Sequence, residues 1–279
     1  MRSVPHPDLE RVDVGGYALA VRRQGQGAPL VLVHGSLSDY RSWALQMPAF
    51  AAHYTTLAPS LRHCWPDHWD DASSDFNVEQ HAEDIAALVD TLGASAHVVG
   101  HSRGGAVALQ LALRHPERVR SLVLADPGGL EGLLPDTEAG RAMGRESAQM
   151  FAALRDTLAE GGPLAAARAF VDALGGTGAW ERRTPGQQQL LLDNIETGPA
   201  CAERPSWTAG QLAGLACPIQ LITGARSPER YPLMIAELAR CNANVKSTVI
   251  VGDAAHAMHR ENPAEFNAAV LDFLATQCA

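Results

Sequence analysis

Short, continuous apolar runs alternate along this chain with longer stretches in which apolar residues recur every three or four positions. Residues 29–33 (Pro-Leu-Val-Leu-Val) are such a run, and they read as a strand buried on both faces. Residues 54–58, 96–99, 121–125, 219–223 and 247–251 repeat the pattern. The opening segment alternates as strands do, with turn signals at Gly15-Gly16 and Gly25-Gln26-Gly27. Helical spacing occupies residues 78–92, with Ile85, Leu88, Val89 and Leu92 on one side, and residues 105–114, 231–240 and 263–275. Strand, helix, strand repetition predicts an α/β fold, a largely parallel sheet covered by helices on both faces.

One region breaks the alternation. From Gly128 to Leu215 the sequence offers no convincing strand, only amphipathic and alanine-rich helical stretches, clearest at residues 151–158, 164–174 and 185–195. The expected division is therefore a core of residues 1–127 and 216–279 carrying a helical cap of residues 128–215. A packing subdomain with no role at a site is the plainer alternative.

Composition narrows the classes. Of 279 residues, 46% are hydrophobic, enough for a large core, and the net charge of −9 argues against a nucleic-acid partner. No run approaches the roughly 18 apolar residues of a membrane span, and residues 1–10 carry no leader-like pattern. Cys64, Cys201, Cys217, Cys241 and Cys278 are scattered without Cys-x-x-Cys spacing, which suits unpaired thiols in a cytoplasmic protein and disfavours a metal site. The expected partner is a small-molecule substrate, with no cofactor; oligomeric state is left open.

The chemistry concentrates at Val98-Val99-Gly100-His101-Ser102-Arg103-Gly104-Gly105, where a strand ends in Gly-x-Ser-x-Gly and a helix follows at once. So sharp a turn lifts the Ser102 hydroxyl above the sheet and sets the Arg103 N–H at a helix N-terminus. The alternative is a serine in an ordinary glycine-rich turn. A serine nucleophile needs a base. Of eleven histidines, His256 lies in the loop after the last predicted strand, at the same carboxyl edge as Ser102. His259, three residues on, is its rival, and His34 reads as structural support for a loop.

Gly-His-Ser-Arg-Gly-Gly, the strand ending in His34-Gly35 and the late Gly-x-x-x-His loop together resemble the α/β-hydrolase family over almost the whole chain. The resemblance implies an eight-stranded, mostly parallel sheet and a Ser–acid–His triad in that chain order. It also implies an oxyanion hole pairing the Arg103 N–H with that of Ser36 or Leu37. The acid departs from the common pattern, because the usual position after the seventh strand holds Ser227. Asp126, ending the preceding strand, is the expected substitute, as in one group of haloalkane dehalogenases. Its plainer role would be to cap the turn into Pro127. Glu229 and Asp253 are the other carboxylates within sequence reach.

Arg103 is expected either to face substrate or to pair with a cap carboxylate, and residues 60–66 to approach the pocket entrance. Trp43, Trp180 and Trp207 read as packing residues near the cap, and Cys64 as inert. The serine disfavours the aspartate-nucleophile chemistry of haloalkane dehalogenases and epoxide hydrolases. The expected activity is hydrolysis of a small carboxylic ester, lactone or thioester through an acyl-enzyme. Cleavage of a carbon–carbon bond in a β-diketone-like substrate, or ligand reception with little turnover, are the alternatives.

Overall fold

The computed structural model describes residues 9–69, 74–202 and 205–277. The first eight residues and Cys278 therefore lie outside the described residues. Eight strands form one sheet: β1 (Leu9–Asp13), β2 (Ala18–Gln24), β3 (Pro29–Val33), β4 (Thr55–Pro59), β5 (Ala96–His101), β6 (Val119–Ala125), β7 (Ile219–Gly224) and β8 (Val245–Val251). Their order is β1-β2-β4-β3-β5-β6-β7-β8, with β2 antiparallel to both neighbours and every pairing from β4 to β8 parallel. The helices are α1 (Met47–Ala51), α2 (Val78–Asp90), α3 (Arg103–Arg114), α4 (Glu138–Gly175), α5 (Pro185–Asp193), α6 (Ala209–Leu212), α7 (Arg230–Cys241), α8 (Met258–Glu261) and α9 (Pro263–Ala275).

Side chains alternate across the sheet, so each central strand feeds two cores. Val31, Val33, Val98, Leu122, Leu124 and Leu221 pack on one face with Ile85 and Leu88 of α2, Leu109 of α3 and Met234 of α7. Leu30, Leu32, Val99, Val123, Ala125 and Ile222 pack on the other with Phe50 of α1 and Phe266, Val270 and Phe273 of α9. Burial on both faces explains why these strands read as unbroken apolar runs. Caps fix the helix starts: Asn77 accepts from the Gln80 N–H at 2.8 Å, and Asn262 accepts from Glu265 ahead of Pro263.

Among the described residues, the stretch between β6 and β7 contains helices and turns but no strand. Its geometry differs from expectation in one respect. Residues 151–158 and 164–174 belong to one longer element, α4, which starts at Glu138 and breaks at Gly162 (φ 78°, ψ 178°), just before Pro163. Proline lacks the donor a helix needs and clashes with the preceding turn, so the break falls there. Phe151, Leu154, Phe170, Trp180 and Leu190 join the first core. Polar bonds tie the insertion to the loop after β3: the Asn194 amide donates to Asp39 at 2.7 Å, and Arg41 bridges Asp39 and Asp193 at 2.7 and 2.9 Å.

Candidate active site

The turn from β5 into α3 is strained where the chemistry is expected. Ser102 has φ 53° and ψ −119°, outside the regions an L residue favours. The turn is possible because nothing projects from its flanking glycines. A Cβ on Gly100 would run into the Gly104 carbonyl, and one on Gly104 into the Val33 carbonyl. The Ser102 N–H donates to the Ala125 carbonyl at 3.0 Å, which fastens the turn to β6. Arg103 opens α3 directly after Ser102, so its N–H belongs to the first turn, whose N–H groups have no acceptor within the helix.

His256 follows β8 and lines the same cavity as Ser102. Its Nδ1 lies 3.1 Å from Asp126 Oδ2, and Asp126 is wholly buried at the end of β6, with φ 41°. Glu229 is exposed at the start of α7, and Asp253 is exposed and paired with Arg226. Ser227 occupies the ordinary acid position and donates its hydroxyl to Asp126 Oδ2 at 2.6 Å, while accepting the Gly224 N–H at 3.1 Å. Asp126 thus lies one strand over from Ser227, and the Ser227 hydroxyl bonds the carboxylate oxygen that faces His256. Burial pushes the Asp126 carboxyl up to about 7, against the opposing effect of the Ser227 and Thr223 side chains and nearby positive charge. Burial, followed by the charges of Arg230, Arg260 and Arg183, pushes His256 down to about 3.

Other histidines surround the base. His101 donates from Nε2 to the His256 carbonyl at 2.7 Å, and its ring lies 4.8 Å from that of His256 and 4.5 Å from that of His259. Burial, with the neighbouring His256, lowers His101 to about 3, so it donates as a neutral ring. His259 packs against Trp43 and Phe266 and lines the cavity, and burial holds it neutral too. His34 bonds the Gly35 carbonyl at 2.8 Å and accepts the Leu61 N–H at 2.9 Å, a loop support as its position suggests.

The cavity is about 570 Å³ with its mouth included. Ser36 lines it, whereas Leu37 is buried in the core with φ 52°. Phe170, Val171, Leu174, Leu190 and Leu191 line it from the insertion. Two expectations need correction. The Arg103 side chain does not face the cavity: it is buried over the Phe76 ring, 4.8 Å from the centroid. Residues 60–66 also stay clear of it. Arg62 is held by Asp84 and Asp75, and Trp65 stacks on Tyr40 under Arg41, so that segment is a polar brace. Trp43, Trp180 and Trp207 are buried packing residues, and burial drives the Cys64 thiol well up. Tyr231, which no sequence pattern singles out, stacks on His256 with centroids 4.7 Å apart.

A profile described as the α/β hydrolase fold matches residues 28–194. The chain belongs to the α/β-hydrolase family. It is similar to the dihydrolipoyllysine-residue acetyltransferase components of the acetoin cleaving systems of Pseudomonas putida (39% identity over 129 residues) and Cupriavidus necator (30% over 264 residues). Those matches cover 44% and 92% of this chain but 34% and 66% of the two components. A thermophilic esterase from Thermogutta terrifontis shares the fold, with a TM-score of 0.75 at 23% identity over 99% of this chain and 100% of that one. Among the described residues, no helix is long and apolar enough to cross a membrane, and no cluster of His, Cys, Asp or Glu suits a metal ion.

Proposed function

We propose that this chain is a serine hydrolase of carboxylic esters, lactones or thioesters. The observation that carries the reading is the contact of Asp126 Oδ2 with His256 Nδ1 at 3.1 Å, behind a cavity that His256 shares with Ser102 on its strained turn. Asp126 holds the His256 ring with Nδ1 protonated, leaving Nε2 free to take the Ser102 proton as Oγ attacks the carbonyl carbon. The oxyanion accepts from the Arg103 N–H and from Ser36, which lines the cavity where Leu37 does not. Each such donor contributes about 2.7–4 kcal/mol to the transition state. His256 then protonates the leaving group. Water, deprotonated by the same nitrogen, releases the acyl group and restores Ser102.

Residues 128–215 serve in this reading as a cap on a core of residues 1–127 and 216–279, because five apolar side chains of the insertion line the cavity of Ser102. A panel of p-nitrophenyl esters, a lactone, a thioester and a β-diketone tests the proposal. Ester or thioester turnover that disappears in Ser102→Ala and His256→Ala is expected. Turnover confined to the diketone would move the activity to carbon–carbon cleavage. Turnover equal to that of Ser102→Ala on every substrate would refute hydrolysis.

A further inference from the structure

The cavity at Ser102 has a charged wall. Arg183, just before α5, and Arg260, in α8, line it, and both also line a broader hollow beside it, bordered by Arg182, Thr184 and Arg226. Nε of Arg183 and both Nε and Nη1 of Arg260 are buried without a hydrogen-bond partner. Neither arginine forms an ion pair among the described residues. Their neighbours are satisfied: Arg182 donates to the Gly175 and Thr177 carbonyls, and Arg226 to the Asp253 carbonyl at 2.6 Å. Arg41 and Arg62, by contrast, are each held by two carboxylates, while Arg230, buried at the start of α7, lies over the Tyr231 ring. Guanidinium donors taken out of water are ordinarily paired, so the unpartnered nitrogens of two half-buried arginines at a cavity wall point to a partner that arrives from outside.

The sign and size of that partner follow from the surrounding charges. Glu261 lines the same wall, its Oε2 accepting the Ala255 N–H at 2.6 Å. Asp172 and Asp39 act on Arg183 and Arg260 from farther off, and each is engaged, Asp172 by the Trp180 N–H and Asp39 by Arg41. Two guanidiniums against one adjacent carboxylate leave one positive charge in the wall. A monoanion neutralises it, whereas a dianion would be left facing Glu261. Burial presses both arginines towards their neutral forms, Arg260 down to about 9, and a bound anion relieves that pressure.

We propose that Arg183 and Arg260 bind a carboxylate on the substrate, so that the preferred substrate is a monoanionic ester or thioester. Carboxylates suit the forked guanidinium donors, and the apolar wall of Phe170, Val171, Leu174 and Leu191 takes the chain between the two ends of such a molecule. The carbonyl end of this assignment rests on the serine-hydrolase reading; the anion site does not.

Calorimetric titration of Ser102→Ala protein tests the site without turnover. Monomethyl glutarate, its neutral counterpart dimethyl glutarate and inorganic phosphate are the three ligands. The monoanion is expected to bind roughly tenfold or more tightly than the diester, a preference that Arg260→Gln and Arg183→Gln each erase and Arg260→Lys partly keeps. Thermal melts establish that each variant folds, and Arg183→Gln carries the test alone if Arg260→Gln does not. Equal binding of the two esters, no binding of either, or a preference untouched by both arginine variants would overturn the proposal. Tighter binding of phosphate than of monomethyl glutarate would overturn the carboxylate assignment. Intact carboxylate binding beside absent turnover in the wild type would instead count against Ser102 as nucleophile and leave the anion site standing.

Discussion

Replacing Asp126 by Asn should make the protein more stable and nearly inactive. Asp126 is wholly buried, and its carboxyl is raised from 3.8 to about 7. Through that window the folded protein keeps a proton that the unfolded chain has lost, so this residue's contribution to stability falls as pH rises from 3.8 to 7. At one pKa unit per 1.36 kcal/mol, the penalty reaches about 4 kcal/mol above pH 7. Asparagine carries no charge to bury, and its carbonyl oxygen can still accept from Ser227 and His256. Weaker hydrogen bonds return about 1–2 kcal/mol of the gain, leaving Asp126→Asn roughly 2–3 kcal/mol more stable than wild type at pH 8. Below about pH 3, where Asp126 is protonated both folded and unfolded, the charge penalty is gone and the variant should be the less stable by about the same 1–2 kcal/mol of weaker hydrogen bonds. Activity should drop by about 10³–10⁴, because asparagine neither fixes the His256 tautomer nor supports its positive charge. Urea unfolding of both proteins at each unit from pH 4 to pH 8, with ester turnover alongside, measures the two effects. An Asp126→Asn protein that is less stable at pH 8, or that retains turnover within tenfold of wild type, would refute the reasoning.

Three further outcomes follow from named contacts. Ser227→Ala removes a hydroxyl that donates to Asp126 Oδ2 at 2.6 Å and favours the ionised carboxylate, so the acid limb of kcat/KM should move alkaline by about one pH unit. Gly104→Ala drives a methyl group into the Val33 and His34 carbonyls and should cost about 1–3 kcal/mol or more in urea unfolding while disordering the Ser102 turn. Asp84→Ala leaves the Arg62 guanidinium with only the half-exposed Asp75 and should lower stability by about 3–5 kcal/mol, read as a lower melting temperature. A melting temperature equal to wild type would show that the brace at residues 60–66 is dispensable.

Much of this architecture is legible along the chain because its core strands are buried on both faces. Residues 29–33 carry no polar position to blur the run, and β3 coincides with them. Pro263 after Asn262 marks the start of α9 just as plainly. The insertion reads less well. Residues 138–150 are rich in alanine, glycine and arginine and are mostly exposed or half-buried, so the first third of α4 has no apolar stripe to announce it. At the site, a serine between two glycines and a histidine after the last strand stand out because their backbone settings are unusual. Tyr231 does not, because its stacking on His256 depends on how α7 is rotated against the sheet. Arg183 and Arg260 read as surface arginines until tertiary packing buries their Nε atoms, and Arg103 reads as facing either substrate or cap until its side chain settles over Phe76. Ser227 looks like a missing acid, and only the position of Asp126 shows it to be a hydrogen-bond donor to that carboxylate.

The central claim is that Ser102 is an activated nucleophile. Labelling with a fluorophosphonate probe, read by intact mass and peptide mapping, tests it most directly. One adduct per chain on Ser102, absent from Ser102→Ala and much slower to form in Asp126→Asn, is the predicted result. Folded wild-type protein that takes up no probe, or an adduct that persists in Ser102→Ala, would contradict it.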